Sequence, residues 1–218
     1  MGCLTPILGD TKRAAREGKG RNSDQQQVIH YFLDERGCLK KGVEDSEFDA
    51  NKDRQINALN LKQKALRKFG VDEDQVKEVE PIMLIGPAYQ EDAKKTRKGT
   101  DNVYRYSAYQ ITYVFCSSDQ VYVYQYTINL DSDEKKERAE EYFYKDISSF
   151  TTIDETEEFK IWLSKGCMKK PEEKTETVNT SKFKISCAEG FMCSMVPNDE
   201  TEGKIQALKA KLREKKNS

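Results

Sequence analysis

Asp49, Asn51 and Asp53, in the stretch EFDANKDRQIN (residues 47–57), stand two residues apart, and Ile56 sits where a calcium loop carries an aliphatic side chain. Oxygen ligands at that spacing suit a hard divalent cation. The rest of the stretch does not. Counted from Asp49, the sixth position, which needs a glycine for its sharp turn, holds Arg54, and the twelfth, which needs a bidentate glutamate, holds Asn60. Arg54 also brings positive charge toward the cation. The stretch is therefore read as a helix start, capped by Ser46 or Asp49, with early acids favoured by the helix dipole.

Other chemistry is thinly supplied. The single histidine, His30, lies beside Tyr31 and Phe32 in an apolar helical pattern, which predicts a partly buried structural residue rather than a general base. No Cys/His spacing suits zinc, and no glycine-rich stretch of the GxGxxG or GxxxxGK[ST] kind cradles a phosphate. Paired acids such as Asp154-Glu155 and Glu157-Glu158 sit among many other acids, as surface residues do. The residues thus predict a chain that is not an enzyme and holds no cofactor or metal. The six cysteines, Cys3, Cys38, Cys116, Cys167, Cys187 and Cys193, form no CxxC pair and are expected as reduced thiols, although Cys187 and Cys193 flank a tight turn. Gly2 and Cys3 invite a lipidation reading, but Pro6 stands where a myristoylation signal carries Ser or Thr.

Charge narrows the partners. Net charge is −1, so no bulk field favours nucleic acid. Tyr122, Tyr124 and Tyr126 share one strand face and could stack bases, but the acid-rich segment 131–158 would repel phosphates. The basic run KKTRK (94–98) is the candidate contact for an anionic ligand, through Lys94, Lys95, Arg97 and Lys98; a solvated loop is its plainer meaning. The longest apolar stretch, PIMLIGPAY (81–89), is too short and broken to span a bilayer. A cytoplasmic protein is the expectation.

These residues are positioned by two kinds of element. Residues 1–25 are expected to be loosely attached. QQQVIHYFLDERG places Val28, Ile29, Phe32 and Leu33 at helical spacing. A longer helix is predicted from about Ser46 to Phe69, closed by Gly70 as a left-handed cap, and a short one over DEDQVKEVE, stopped by Pro81. After residue 100 the period becomes two. YQITYVF (109–115) and QVYVYQYTINL (120–130) predict an antiparallel hairpin joined at SSD. A charged loop, DSDEKKERAE, then leads to a third strand over 141–153, broken at Lys145-Asp146. Further strands are predicted near Phe159–Leu163, Thr175–Val178, Lys182–Cys187 and Phe191–Val196. A closing amphipathic helix carries Ile205, Leu208 and Leu212 on one stripe.

The segments YQITYVFCSSDQVYVYQYTINL, YFYKDISSFTT, KFKISCAEGFMCSMV and IQALKAKLREKK, in that order, resemble a pleckstrin-homology-like (PH-like) domain of the kind found in uncharacterised bacterial proteins. The resemblance covers about residues 81–218, behind a helical region at 26–80. It implies an α+β protein: an N-terminal helical segment, then a bent antiparallel sheet of about seven strands capped by a C-terminal helix. It also implies that Ile205, Leu208 and Leu212 plug the sheet on its aromatic side. Lipid-binding members of the family grip phosphates with basic residues on the first hairpin loop, which here is CSSDQ, with no basic residue. The function expected is therefore a non-enzymatic module that binds a protein or peptide partner by a strand edge or the open end of the sheet. The alternative is peripheral association with an anionic membrane through residues 94–98 and the C-terminal helix. The sequence leaves the partner and the oligomeric state open.

Overall fold

The computed structural model describes residues 13–33, 42–76, 79–88, 95–163, 172–187, 190–195 and 199–217. The chain is α+β, with helices first, antiparallel sheets next and one helix last. Residues 13–17 are helical, and the N-terminal half continues through α1 (Ser23–Leu33), α2 (Asp45–Ala58) and α3 (Leu61–Phe69). The single helix expected over 46–69 is two helices. Asn60 takes a left-handed conformation with φ 45° and breaks the run, although the apolar spacing continues across it. Neither Ser46 nor Asp49 caps α2, because its first turn begins one residue before Ser46; Glu47 instead accepts a hydrogen bond from the Glu44 N–H at 2.9 Å. Gly70 closes α3 in the left-handed conformation, φ 67°, as its position predicts.

Three sheets follow. β1 (Val79–Pro87), β4 (Ala108–Cys116), β5 (Gln120–Asn129) and β6 (Lys135–Phe143) form a four-stranded antiparallel sheet in the order β1-β4-β5-β6. β2 (Thr96–Lys98) and β3 (Tyr104–Tyr106) form a separate two-stranded ribbon. β7 (Ser149–Leu163), β8 (Glu172–Ser186) and β9 (Phe191–Met195) form the last sheet, before α4 (Asp199–Asn217). Among the described residues there are nine strands, against the seven or so expected. In place of the short helix expected over DEDQVKEVE, the described residues hold a 3₁₀ turn, Glu73–Val76, and strand from Val79. Pro81 is tolerated there because β1 is an edge strand whose pairing with β4 shifts register between Val79 and Ile82. Tyr144–Asp146 is a 3₁₀ corner that ends β6 before β7 begins. The strands expected near 159–163, 175–178 and 182–187 belong to two long ones, β7 and β8, paired over their full length.

The predicted charged loop 131–140 is largely β6. An edge strand packs against one neighbour only, so it needs no apolar alternation, and charges keep it from pairing at random.

Two cores share the four-stranded sheet. Alternate residues of β4 and β5, Tyr109, Ile111, Phe115, Tyr122, Tyr124, Tyr126 and Ile128, meet Val28, Tyr31, Phe48, Leu61 and Leu66 of α1–α3. The intervening residues Val114, Cys116, Val121 and Val123 face the other way, toward Phe150, Phe183, Ile185, Phe191 and Met195 of the last sheet. Ile205, Leu208 and Leu212 of α4 are buried in this second core. The expectation that these three residues plug the aromatic side is therefore corrected: the tyrosine face is covered by α1–α3, and α4 seals the aliphatic face. Full burial of such side chains stabilises by about 1.5–3 kcal/mol each, so each covering layer is a substantial part of the fold. Among the described residues no helix is long and apolar enough to cross a membrane.

Candidate functional site

Of the basic run, Lys94 lies outside the described residues. The other three cations have partners within the chain. Lys95 Nζ lies 2.6 Å from Asp131 and 3.1 Å from Glu17. The Arg97 guanidinium stands 4.8 Å over the Tyr31 ring and donates to the Tyr31 carbonyl. Lys98 Nζ is 3.8 Å from Glu176 and 5.3 Å from the Tyr104 ring centre, and the Tyr104 hydroxyl donates to the same Glu176. These contacts tie the β2–β3 ribbon to α1 and to β8.

Asp49 of the calcium-like stretch serves the same ribbon. Arg105, at the centre of β3 and 4% exposed in its side chain, donates to Asp49 through Nε (3.0 Å) and Nη2 (2.7 Å), and to Asp101 through Nη1 (3.0 Å) and Nη2 (2.7 Å). Nη1 also donates to the Val103 carbonyl at 3.3 Å. All five N–H groups of the guanidinium are thus engaged. Asp45 extends the cluster, accepting from the Tyr31 hydroxyl (2.9 Å) and from the Thr100 N–H and hydroxyl (2.8 and 2.7 Å). Its hydrogen bonds with Arg105 hold the Asp101 carboxyl well below its ordinary range, while burial, and then the neighbouring Asp45 carboxylate, push the Tyr31 phenol up. Asn51 is fully buried and joins α2 to α1, donating to the Asp24 carbonyl (3.0 Å) and to Gln27 (2.6 Å). Asp53 is 3.4 Å from Lys52. Asp49 thus serves the ribbon and Asn51 the contact of α2 with α1, while Asp53 is a largely exposed residue of α2. His30 is half-buried on α1. Cys116 and Cys193 are buried and not in disulfides, and burial pushes Cys193 up to about 12; Cys187 is half-buried and likewise not in a disulfide. Cys3, Cys38 and Cys167 lie outside the described residues. Among the described residues no three His, Cys, Asp or Glu side chains gather as a metal site.

Among the edge strands of the three sheets, β6 is the charged one whose outward backbone phase the flanking hydrogen bonds define. Among the described residues it pairs with β5 alone, from Gln120↔Phe143 to Ile128↔Lys135. Beyond its two ends, the Asn129 N–H donates to the Glu134 carbonyl (3.3 Å) and the Tyr144 N–H to the Asp119 carbonyl (3.1 Å). Antiparallel pairs alternate between bonded and non-bonded. Both flanking bonds set the same phase: even-numbered residues of β6 bond to β5, and Lys135, Glu137, Ala139, Glu141 and Phe143 turn their N–H and C=O groups to the free edge. The side chains sort by the same parity. Glu137, opposite Tyr126, accepts from Lys64 (2.8 Å) and Lys68 (2.9 Å) of α3. Burial alone would raise its carboxyl, but these two ammonium groups overcome that and hold it at about 2. On the opposite face, Arg138 stacks 5.3 Å over Phe191 and pairs with Glu140. The second Glu140 oxygen and the Tyr142 hydroxyl are both out of water and have no hydrogen-bond partner among the described residues.

At the end of β6 lies a cleft of about 310 Å³, lined by Ser118, Asp119, Phe143, Tyr144, Lys145 and Lys215. Phe143 is 44% exposed, and Lys145 stands 5.4 Å over its ring. This edge and cleft were not singled out in the sequence. The only signal there was the pair of hydrophobic residues Tyr142-Phe143 ending a charged run.

No family model, curated protein or solved structure matches the chain.

Proposed function

We propose that the chain is a non-enzymatic interaction module of the PH-like kind, which takes an extended segment of a protein partner along the free edge of β6. The observation that carries this reading is the row of five residues whose backbone groups face outward from a strand with one neighbour. Main-chain pairing supplies affinity in such capture, and the cleft ending in Phe143, Lys145 and Lys215 offers a place for one side chain of the segment. The PH-like reading is supported by the succession of a four-stranded sheet, a three-stranded sheet and a closing helix. Membrane association through residues 94–98 and the C-terminal helix is the weaker reading, because Lys95 and Lys98 have carboxylate neighbours and Arg97 is stacked on Tyr31.

Proline separates the edge from the fold. Ala139→Pro removes an outward N–H and leaves the β5 ladder intact, whereas Glu140→Pro removes a ladder donor. Panning the full chain against a display library of random peptides should enrich segments that bind the wild type and lose about tenfold or more in affinity to Ala139→Pro. Enriched peptides that bind the Ala139→Pro protein as tightly as the wild type would exclude the edge.

A further inference from the structure

We propose that the partner strand at this edge is β6 of a second copy of the chain, running antiparallel with Ala139 on the two-fold axis. This rests on the reading of β6 as the docking edge and names its occupant.

About its central Ala139 the strand KKERAEEYF places a cation, Arg138, on one side and an acid, Glu140, on the other. Turning residues 135–143 against a second copy sets odd residues opposite odd ones, so all five outward-facing residues pair, with about ten backbone hydrogen bonds at two per bonded pair. Arg138 of each copy then lies opposite Glu140 of the other, and Lys136 opposite Tyr142. Glu140 and Tyr142 are the two β6 residues with a buried polar atom that has no partner among the described residues, and a turn of the Glu140 side chain offers that oxygen to the incoming guanidinium. On the other face Glu141 meets Glu137. That contact is not repulsive, because Glu137 already sits between the Lys64 and Lys68 ammonium groups, and a second carboxylate balances them. Ala139, the smallest residue of the strand, occupies the axis, where the two copies meet side chain to side chain.

Sliding the register by one bonded step leaves four bonded pairs in place of five. It pairs Lys135 with Glu141 and Lys136 with Glu140, but sets Arg138 against Arg138 on the axis, and like charges directly opposite are destabilising. Charges on an edge strand ordinarily keep it from pairing at random. Here the two charges nearest the axis, Arg138 and Glu140, find opposite charges in this register, so the pattern admits this partner.

Sedimentation of the full chain measures the assembly, with circular dichroism confirming that each variant is folded. The wild type should sediment at twice the mass of one chain. Arg138→Glu alone places two acids against two acids across the axis, and Glu140→Arg alone places cations against cations, so each should fall to half that mass. Mixed together, the two variants are complementary at both contacts and should return to the doubled mass. A role of the Arg138–Glu140 pair within one chain would give no such rescue. Ala139→Pro should also be single. A wild type that sediments as one chain, or a mixture that stays single, overturns the proposal. If the wild type is single yet library peptides still bind it and lose Ala139→Pro, the edge reading stands and the second copy is excluded as its occupant. If neither peptide nor second copy binds, both fall.

Discussion

Replacing Arg105 by methionine tests what holds the β2–β3 ribbon to the helices. The substitution keeps the length of the stem and removes a guanidinium that makes five hydrogen bonds, four of them to Asp49 and Asp101. Deleting one partner of a fully buried ion pair costs about 3–5 kcal/mol. The Asp49 and Asp101 side chains are 37% and 45% exposed, so water takes over part of their solvation once the cation is gone. That discount leaves an expected loss of about 2–3 kcal/mol. Urea unfolding followed by circular dichroism reads it as a lower midpoint at unchanged slope. Arg105→Lys should recover less than half, because a single ammonium cannot fork to two carboxylates. A methionine variant within about 0.5 kcal/mol of the wild type, or a lysine variant equal to arginine, would refute the assignment of a structural role to this network.

Gly99→Ala should act on the same network, since a Cβ there would lie 2.2 Å from Arg105 Nη1 and 2.5 Å from Asp101 Oδ1; its cost in urea unfolding, about 1–3 kcal/mol, should shrink in the Arg105→Met background. Leu208→Ala empties part of the core beneath α4 and should cost about 2–5 kcal/mol, read by the same assay. Glu137 has a folded-state carboxyl held at about 2 against an ordinary 4.5. Its contribution is therefore present above pH 4.5 and lost as the pH falls toward 2. Melting temperature should decline less steeply over that window in Glu137→Gln than in the wild type. Iodoacetamide followed by peptide mapping should leave Cys116 and Cys193 unlabelled in the folded protein and label both after unfolding, as their burial requires.

The β4–β5 hairpin was legible because its tyrosines alternate with period two, and its observed limits lie within about one residue of those read from the pattern. The closing helix was legible from three apolar residues on one stripe, but the stripe does not say which face of a sheet it meets. That choice was made by α1–α3, whose own apolar residues already cover the tyrosines. β6 was hidden because an edge strand carries no hydrophobic alternation, and β1 because Pro81 and an acid at Glu80 argue against a strand unless it lies at an edge. The Arg105 cluster joins residues up to 56 positions apart, a pairing that charge patterning cannot supply. The outward phase of β6 emerges only from which carbonyls accept its flanking N–H groups.

Val123 and Tyr124 are consecutive links of one backbone, yet each is anchored in a different interior. A strand so committed transmits whatever happens on either flank, since no residue can shift without dragging its neighbour out of the opposite seat. Trimming the chain to begin at the first β-strand would accordingly not liberate a smaller working unit. It would turn a file of phenol rings toward water, and such a fragment would clump rather than dissolve.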